Sequence, residues 1–179
     1  MRIFTAFAAL LTGALCATSA LAAPEDFVTG PLIEAYGAVA PVDNQMPIPE
    51  GTVFRVVFDV STPADVGTLN RNLVSAARFL NMNVAAGVPA EDIHLAIVVH
   101  GGAVEDVSTG SHYTPGVEPA NADLVATLLA HDVKIYVCGQ SAAYHDVGVE
   151  DLLPGVTMAL SAMTAHALLQ QDGYTLNPF

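Results

Sequence analysis

Residues 133–141 contain the clearest passage from strand to helix in the chain, and they read Val133-Lys134-Ile135-Tyr136-Val137-Cys138-Gly139-Gln140-Ser141. The first half is rich in β-branched and aromatic residues, which is typical of a buried strand. Glycine and polar residues follow, and they predict a turn into a short helix. Cys138 therefore stands at the end of a strand and at the start of a helix.

Similar strands and helices alternate on both sides of this stretch. The predicted strands are 53–60, 93–99, 133–137 and a short one within 151–156, and the predicted helices are about 64–86, 121–131 and 160–171 besides the short one after Cys138. The first helix rests on an apolar stripe: Leu69, Leu73, Ala76, Ala77, Leu80 and Val84. This alternation predicts an α/β fold with a parallel sheet covered by helices on both faces.

The N-terminal residues have the pattern of a secretory signal peptide. A single charge, Arg2, precedes an apolar run from Ile3 to Leu15, and Ala20-Leu21-Ala22 provides a small-x-small cleavage site. We expect cleavage after Ala22 and a periplasmic or secreted protein. A retained membrane anchor is the alternative, but the apolar run is short for a bilayer span. No later apolar stretch is long enough to span one, so we expect no membrane span after cleavage.

The mature chain divides into an arm and one domain. Residues 23–52 hold five prolines, each of which removes a backbone donor, and this predicts an extended arm on the domain or on a neighbouring subunit. Disorder of residues 23–35 is the alternative. Residues 53–179 form the α/β domain and are sufficient for a sizeable core.

The charge balance argues against polyanionic partners. The chain has 18 acidic and 5 basic residues, for a net charge of −13, and signal cleavage removes Arg2 as well. Nucleic acids and anionic lipids repel such a surface, so we expect neither as a partner. The alternative interpretation is that the negative charge only keeps the protein soluble.

Cys138 is the main candidate functional residue, because cleavage after Ala22 also removes Cys16 and leaves no partner for a disulfide within the chain. The start of a helix favours a thiolate, whereas burial disfavours it. Gly139 permits close backbone approach, and the side chains of Gln140 and Ser141 can donate hydrogen bonds to the anion. An inert core cysteine is the alternative.

His100 follows the second strand and is the second candidate. If the second and third strands are neighbours, His100 and Cys138 meet at the carboxyl edge of the sheet, where sites form in such folds. A structural histidine is the alternative interpretation. The loop between these strands holds His112 and Tyr113, and we expect His166 to be half-buried packing.

Residues 139–143 also resemble the nucleophile elbow of hydrolases, with Asp151 and His166 following Ser141 in the order of one triad family. The predicted strand ends at Cys138, however, so the cysteine and not Ser141 occupies the exposed turn. This disfavours a serine hydrolase. Residues 100–102 lack the glycine spacing of a phosphate loop.

The chain resembles the DsrE/DsrF-like family, especially its small exported members. The resemblance covers residues 53–174 and is carried by 136–141 (Tyr-Val-Cys-Gly-Gln-Ser), 152–156 (Leu-Leu-Pro-Gly-Val) and 169–174 (Leu-Gln-Gln-Asp-Gly-Tyr), with 96–101 and 80–81 in addition. It implies an open α/β sandwich and assembly into trimers or hexamers. In the sulfur-relay members a cysteine at the position of Cys138 carries a persulfide; His100 matches only the small exported members. The relay members are cytoplasmic, which leaves the partners of an exported chain open.

These observations favour a carrier that accepts sulfane sulfur on Cys138, with Gly139, Gln140 and Ser141 around the sulfur and His100 as proton shuttle. Such a carrier needs no cofactor or resident metal, and it has a sulfur donor or acceptor protein as partner and no independent turnover. Two alternatives remain. One is a non-enzymatic module that binds a thiophilic metal through Cys138 with His100 or His112. The other is an oligomeric structural protein with an inert cysteine.

Overall fold

A computed structural model describes residues 23–109 and 119–178 of the chain. The expected signal peptide and the loop residues His112 and Tyr113 lie outside these ranges. No helix in the described ranges is long and apolar enough to cross a membrane.

Five parallel strands form one sheet in the order β4-β3-β2-β1-β5, as the alternation of strands and helices predicted. The strands are β1 (Phe54–Val60), β2 (Ile93–Val99), β3 (Lys134–Cys138), β4 (Thr157–Ala159) and β5 (Thr175–Asn177). The α-helices are α1 (Arg71–Ala85), α2 (Ala122–Ala130), α3 (Gly139–Tyr144) and α4 (Ala162–Gln171), and a 3-10 helix spans Gly101–Val107.

Helices cover both faces of the sheet, as predicted. Side chains of β1, β2 and β3 alternate between the faces, because successive residues of a strand point to opposite sides. One face packs against α1 and α2 through residues such as Phe58, Ile97 and Leu124. The other face is smaller, and α4 packs on it through Ala165 and Leu169.

Helix α1 begins at Arg71 and not near Ala64, which corrects the prediction. Asn70 caps the helix, and its side chain accepts a hydrogen bond from the backbone N–H of Asn72 at 2.8 Å. Asn and Asp are strong caps because they satisfy a donor that the first turn leaves free. Leu69, which the apolar stripe included, therefore lies outside the helix and is 37% exposed.

Two short strands near the C-terminus also differ from the prediction. The fourth strand begins at Thr157, because residues 149–151 form a 3-10 turn and Gly155 has a φ of +89°. The fifth strand, after Gly173, was not predicted and pairs with the middle of β1. Three residues are too few for an alternating pattern to become visible in a sequence.

The N-terminal arm lies on the domain through Asn81 of α1. Its side-chain oxygen accepts from the backbone N–H groups of Leu32 and Ile33 at 3.1 and 2.7 Å. Its Nδ2 lies 2.9–3.1 Å from the carbonyl oxygens of Ile33, Tyr36 and Gly37. Asn81 is fully buried, so one side chain replaces water for several backbone groups of the arm.

Substitution Asn81→Ala should release the arm. Its loss leaves buried backbone donors and acceptors without partners, which costs about 3 kcal/mol in the free energy of unfolding. Limited proteolysis should then cut within residues 23–52 of the folded protein. Asn83→Ala is the matched control, because Asn83 is buried in the same helix but donates to the Phe79 carbonyl within it. Equal protease resistance of the arm in both variants would contradict the assignment.

Candidate functional site

Cys138 is the last residue of β3 and the residue that precedes α3. Strand β4 runs beside it, with Cys138 paired to Ala159. A Cβ on Gly139 would lie 2.7 Å from the Ala159 carbonyl oxygen, which is closer than such atoms approach. Glycine is therefore needed at position 139 for the chain to turn against β4, as the sequence predicted.

The surroundings of the Cys138 sulfur favour its anion. Burial raises the pKa of the thiol, but the Ser141 hydroxyl and the backbone N–H groups of Ser141, Ala162 and Gln140 together outweigh it and lower the pKa below the usual value. The sulfur makes no cap hydrogen bond within α3. These donors therefore favour the anion by surrounding the sulfur and not by capping the helix.

The thiol is less accessible than its position at a sheet edge suggested, since Cys138 is only 6% exposed. The lowered pKa favours reaction of the thiol, but burial slows the approach of a reagent. The pH dependence of alkylation, and not the absolute rate of alkylation, therefore measures how far the thiolate is stabilised.

Ser141 connects the cysteine to strand β2. Its Oγ accepts a hydrogen bond from the backbone N–H of Gly101 at 3.0 Å, which leaves its proton for the Cys138 sulfur. Gly101 follows His100, and Val99 pairs with Val137 in the parallel ladder. The second and third strands, β2 and β3, are therefore neighbours in the sheet, and Ser141 connects their carboxyl ends.

Asp59 binds two histidines at the same edge. The Nε2 atom of His166 lies 2.7 Å from Oδ1 of Asp59, and Nε2 of His100 lies 3.1 and 3.2 Å from its two oxygens. Because a carboxylate only accepts, both imidazoles donate from Nε2, and Nδ1 is an acceptor when the ring is neutral and a donor when it is protonated. The Nδ1 atom of His166 is buried and has no partner within the described ranges.

These histidines also explain the acidity of Asp59. Burial raises the pKa of this carboxyl, but the hydrogen bonds and charges of His100 and His166 together outweigh it and hold the pKa below the usual value. Asp59 is consequently ionised at neutral pH. The fixed carboxylate orients each ring.

Helix α4 brings the thiol and the carboxylate together. Ala162 directs its N–H to the Cys138 sulfur, and His166 lies four residues later, on the same side of the helix. Asp59, His100 and Cys138 each stand two residues beyond a strand residue that packs under α4 or beside it, namely Val57, Val98 and Tyr136. All three side chains thus belong to the α4 face of the sheet.

The side chain of Gln140 has a different role from the one predicted. Its Nε2 donates to the Leu160 carbonyl at 3.3 Å, on the loop before α4, and only its backbone N–H serves the sulfur. The side chain of Gln140 therefore holds α3 against the β4–α4 loop.

The alternative sites find less support. Asp59 and not Asp151 binds His166, and the other ring nitrogen of His166 has no partner within the described ranges, so the triad of Ser141, His166 and Asp151 is not formed. His145 pairs with Glu105 at 3.3 Å, away from Asp59. Within residues 23–109 and 119–178, no cluster of His, Cys, Asp and Glu has the arrangement of a metal site. His112, the other proposed metal ligand, lies outside these residues.

Sequence reasoning missed Asp59 and assigned His166 to packing. Asp59 is a charged residue near the end of a largely apolar strand, between Phe58 and Val60. Such a residue needs a partner when it is buried, and this was the signal available in the sequence. Its partner in α4 is 107 positions away, so no local pattern could have identified it.

A model of the DsrE/DsrF-like family matches residues 55–178, from the first strand to the end of the last. Two solved structures share the fold. The protein of unknown function MTH1491 from Methanobacterium thermoautotrophicum has a TM-score of 0.53 at 19% identity, over 70% of this chain and 99% of that one. The ychN protein from E. coli has a TM-score of 0.53 at 14% identity, over 71% and 100%.

A third similarity is limited to part of a larger enzyme. Anthranilate phosphoribosyltransferase from Pyrobaculum islandicum is 36% identical over 76 residues, which are 42% of this chain. The match covers 21% of that enzyme, so the chain spans about a fifth of its length. A match of this extent transfers no activity to the chain.

The pKa of Cys138 predicts a shifted pH profile of alkylation by iodoacetamide. The midpoint for the native protein should lie below the pKa of about 8.5 of a free cysteine. Ser141→Ala should raise the midpoint and slow alkylation at pH 7 about threefold to tenfold, the effect of one hydrogen bond of about 1 kcal/mol. Gln140→Ala is the control and should leave the midpoint unchanged, because the backbone N–H remains. A native midpoint at or above that of free cysteine would refute a stabilised thiolate.

Proposed function

Because this chain belongs to the DsrE/DsrF-like family, we propose that it is an exported carrier of sulfane sulfur, with Cys138 as the acceptor. The observation that supports this most directly is the set of donors around the sulfur. One hydroxyl and three backbone N–H groups favour its anion despite burial. A thiolate is the form that attacks a sulfane sulfur.

The transfer step is a displacement at sulfur. The Cys138 thiolate attacks the terminal sulfur of a donor persulfide, R–S–SH, and forms a new S–S bond. The S–S bond of the donor breaks, and its electron pair leaves with R–S⁻. The product is Cys138–S–SH, and no external oxidant or reductant is consumed.

His100 is the proposed proton donor to the leaving thiolate. Its Nε2 is held by Asp59, so its Nδ1 is the atom that exchanges protons with the reactants. Asp59 orients the ring, and the Nε2 atom of His166 holds Asp59 through a second hydrogen bond at 2.7 Å. Asp59 and His166 are positioning residues in this scheme.

Burial of the thiol suits a carrier outside the cytoplasm. An exposed thiol in an oxidising compartment forms mixed disulfides, whereas restricted access selects small or specifically docked donors. The described residues contain no second cysteine that could resolve a persulfide internally. The sulfur must therefore leave to a separate acceptor, which fits a carrier without independent turnover.

Self-association is part of the proposal. Large apolar side chains are exposed on α4 and beside it: Leu160 is 72% exposed, Met163 80% and Leu168 61%. Exposed apolar surface that one core does not cover commonly marks an interface. We expect a homotrimer or homohexamer in which this segment is covered.

Sulfur loading is tested by intact mass. After treatment with inorganic polysulfide, the mature protein should gain about 32 Da for each bound sulfur, and Cys138→Ser should gain nothing while remaining folded. His100→Gln should slow transfer of the bound sulfur to an acceptor thiol about a hundredfold, because general acid catalysis is lost. Asp59→Asn should also slow this transfer, because His100 then loses the carboxylate that orients it.

His145→Gln is the matched control, since His145 pairs with Glu105 and not with Asp59. It should transfer sulfur at the native rate. Failure of the native protein to gain sulfur would exclude the carrier function. Equal rates for His100→Gln and His145→Gln would exclude only the role of His100.

Light scattering tests the assembly. Mature protein at micromolar concentration should have the mass of a trimer or hexamer. Met163→Asp should dissociate it, because a charge enters an apolar interface. Met46→Asp changes an equally exposed methionine on the arm and should leave the mass unchanged. A monomeric native protein would contradict the proposed assembly.

A further inference from the structure

A cleft lies at the amino edge of the sheet, opposite the edge that carries Cys138. Its volume is about 750 Å³. The first residues of the strands line it, among them Arg55 of β1, His94 of β2 and Lys134 of β3. Cavities of a few hundred to a thousand cubic ångströms are the usual size of small-molecule sites.

Half of the Arg and Lys side chains of the described residues line this cleft. There are four of them, and the two that line it are Arg55 and Lys134. No carboxylate of the described ranges lies within 4.0 Å of either cation, and Asp172 acts on Lys134 only from beyond this distance. Both cations can therefore still bind an anion directly.

The register of the sheet brings the basic groups together. Arg55 pairs directly with His94 across β1 and β2, and Ala96, two residues after His94, pairs with Lys134. All three side chains point to the face of the sheet that α4 covers, because each stands two residues before a residue that packs on that face, namely Val57, Ala96 and Tyr136.

Lys134 is held in place by Tyr174, which follows α4. Its Nζ lies 5.5 Å from the centre of the Tyr174 ring. Hydrogen bonding to Tyr174 raises the pKa of Lys134, so the group stays charged at all physiological pH values. A fixed ammonium loses little freedom when it binds a ligand.

The rest of the cleft limits the class of ligand. Leu32 and Leu129, both partly exposed, line its other side and offer contact to an apolar group. Glu91 and Asp132 also line it and are exposed, and they repel ligands with several negative charges. One negative group joined to an apolar body satisfies both conditions.

We propose that the amino-edge cleft is a second ligand site, which binds a small organic monoanion. Arg55, His94 and Lys134 hold its carboxylate or sulfonate group, and its apolar part lies against Leu32 and Leu129. The site is separate from the thiol, because Lys134 and Cys138 are four residues apart on one strand, about 13 Å. It therefore does not depend on the sulfur-carrier function.

The test compares two probes of the same shape, 1-naphthoate and the neutral 1-naphthamide, by isothermal titration calorimetry with the mature protein. Naphthoate should bind at least about tenfold more tightly, because charge-assisted hydrogen bonds contribute more than neutral ones. Arg55→Gln and Lys134→Gln should each weaken naphthoate binding about fivefold to tenfold and leave naphthamide binding unchanged.

Arg71→Gln is the control, because it removes one positive charge as the other two variants do, but Arg71 begins α1 and does not line the cleft. It should leave both affinities unchanged, and Cys138→Ser should do so as well. Absence of naphthoate binding at millimolar concentration, equal affinity for both probes, or equal losses in all three charge variants would each overturn the proposal. If the native protein binds naphthoate but gains no sulfur from polysulfide, only the carrier function is excluded.

Discussion

The parallel register of β1, β2 and β3 is the constraint on which both sites depend. Because the strands run in one direction and side chains alternate, residues at equal heights share an edge and a face. Asp59, His100 and Cys138 therefore collect at the carboxyl edge, on the face that α4 covers. The same rule collects Arg55, His94 and Lys134 at the amino edge. A shift of one residue in any of these pairings would turn one group to the opposite face.

The carboxyl edge combines two ways of controlling charge. Around Cys138, neutral donors favour an anion in a nearly buried place. Around Asp59, two imidazoles favour a carboxylate. Ser141 connects the two groups through the backbone of Gly101, next to His100. The arrangement sets a thiol whose anion is favoured beside two histidines that a carboxylate orients, without a metal ligand cluster in the described ranges.

The sequence predicted the α/β class, the three long strands and the edge on which Cys138 lies, because these follow from long apolar runs and from their order. It failed where a single polar contact decides the local structure. Asn70 moves the start of α1 by several residues, and Asn81 fixes the arm through hydrogen bonds over more than 40 positions. Asp59 and His166 were missed for the same reason, since their partnership joins the first strand to the last helix. Accessibility of the thiol also depends on packing between distant segments.

Helix α4 is only ten residues long, about 15 Å, yet it reaches from one edge of the sheet to the other. Its first residue faces the Cys138 sulfur, and Tyr174, just beyond its end, holds Lys134. A translation of this helix along its own axis would disturb both edges at once. Substitutions on its buried side are consequently pleiotropic, whereas its outward positions can diverge freely wherever no partner subunit covers them.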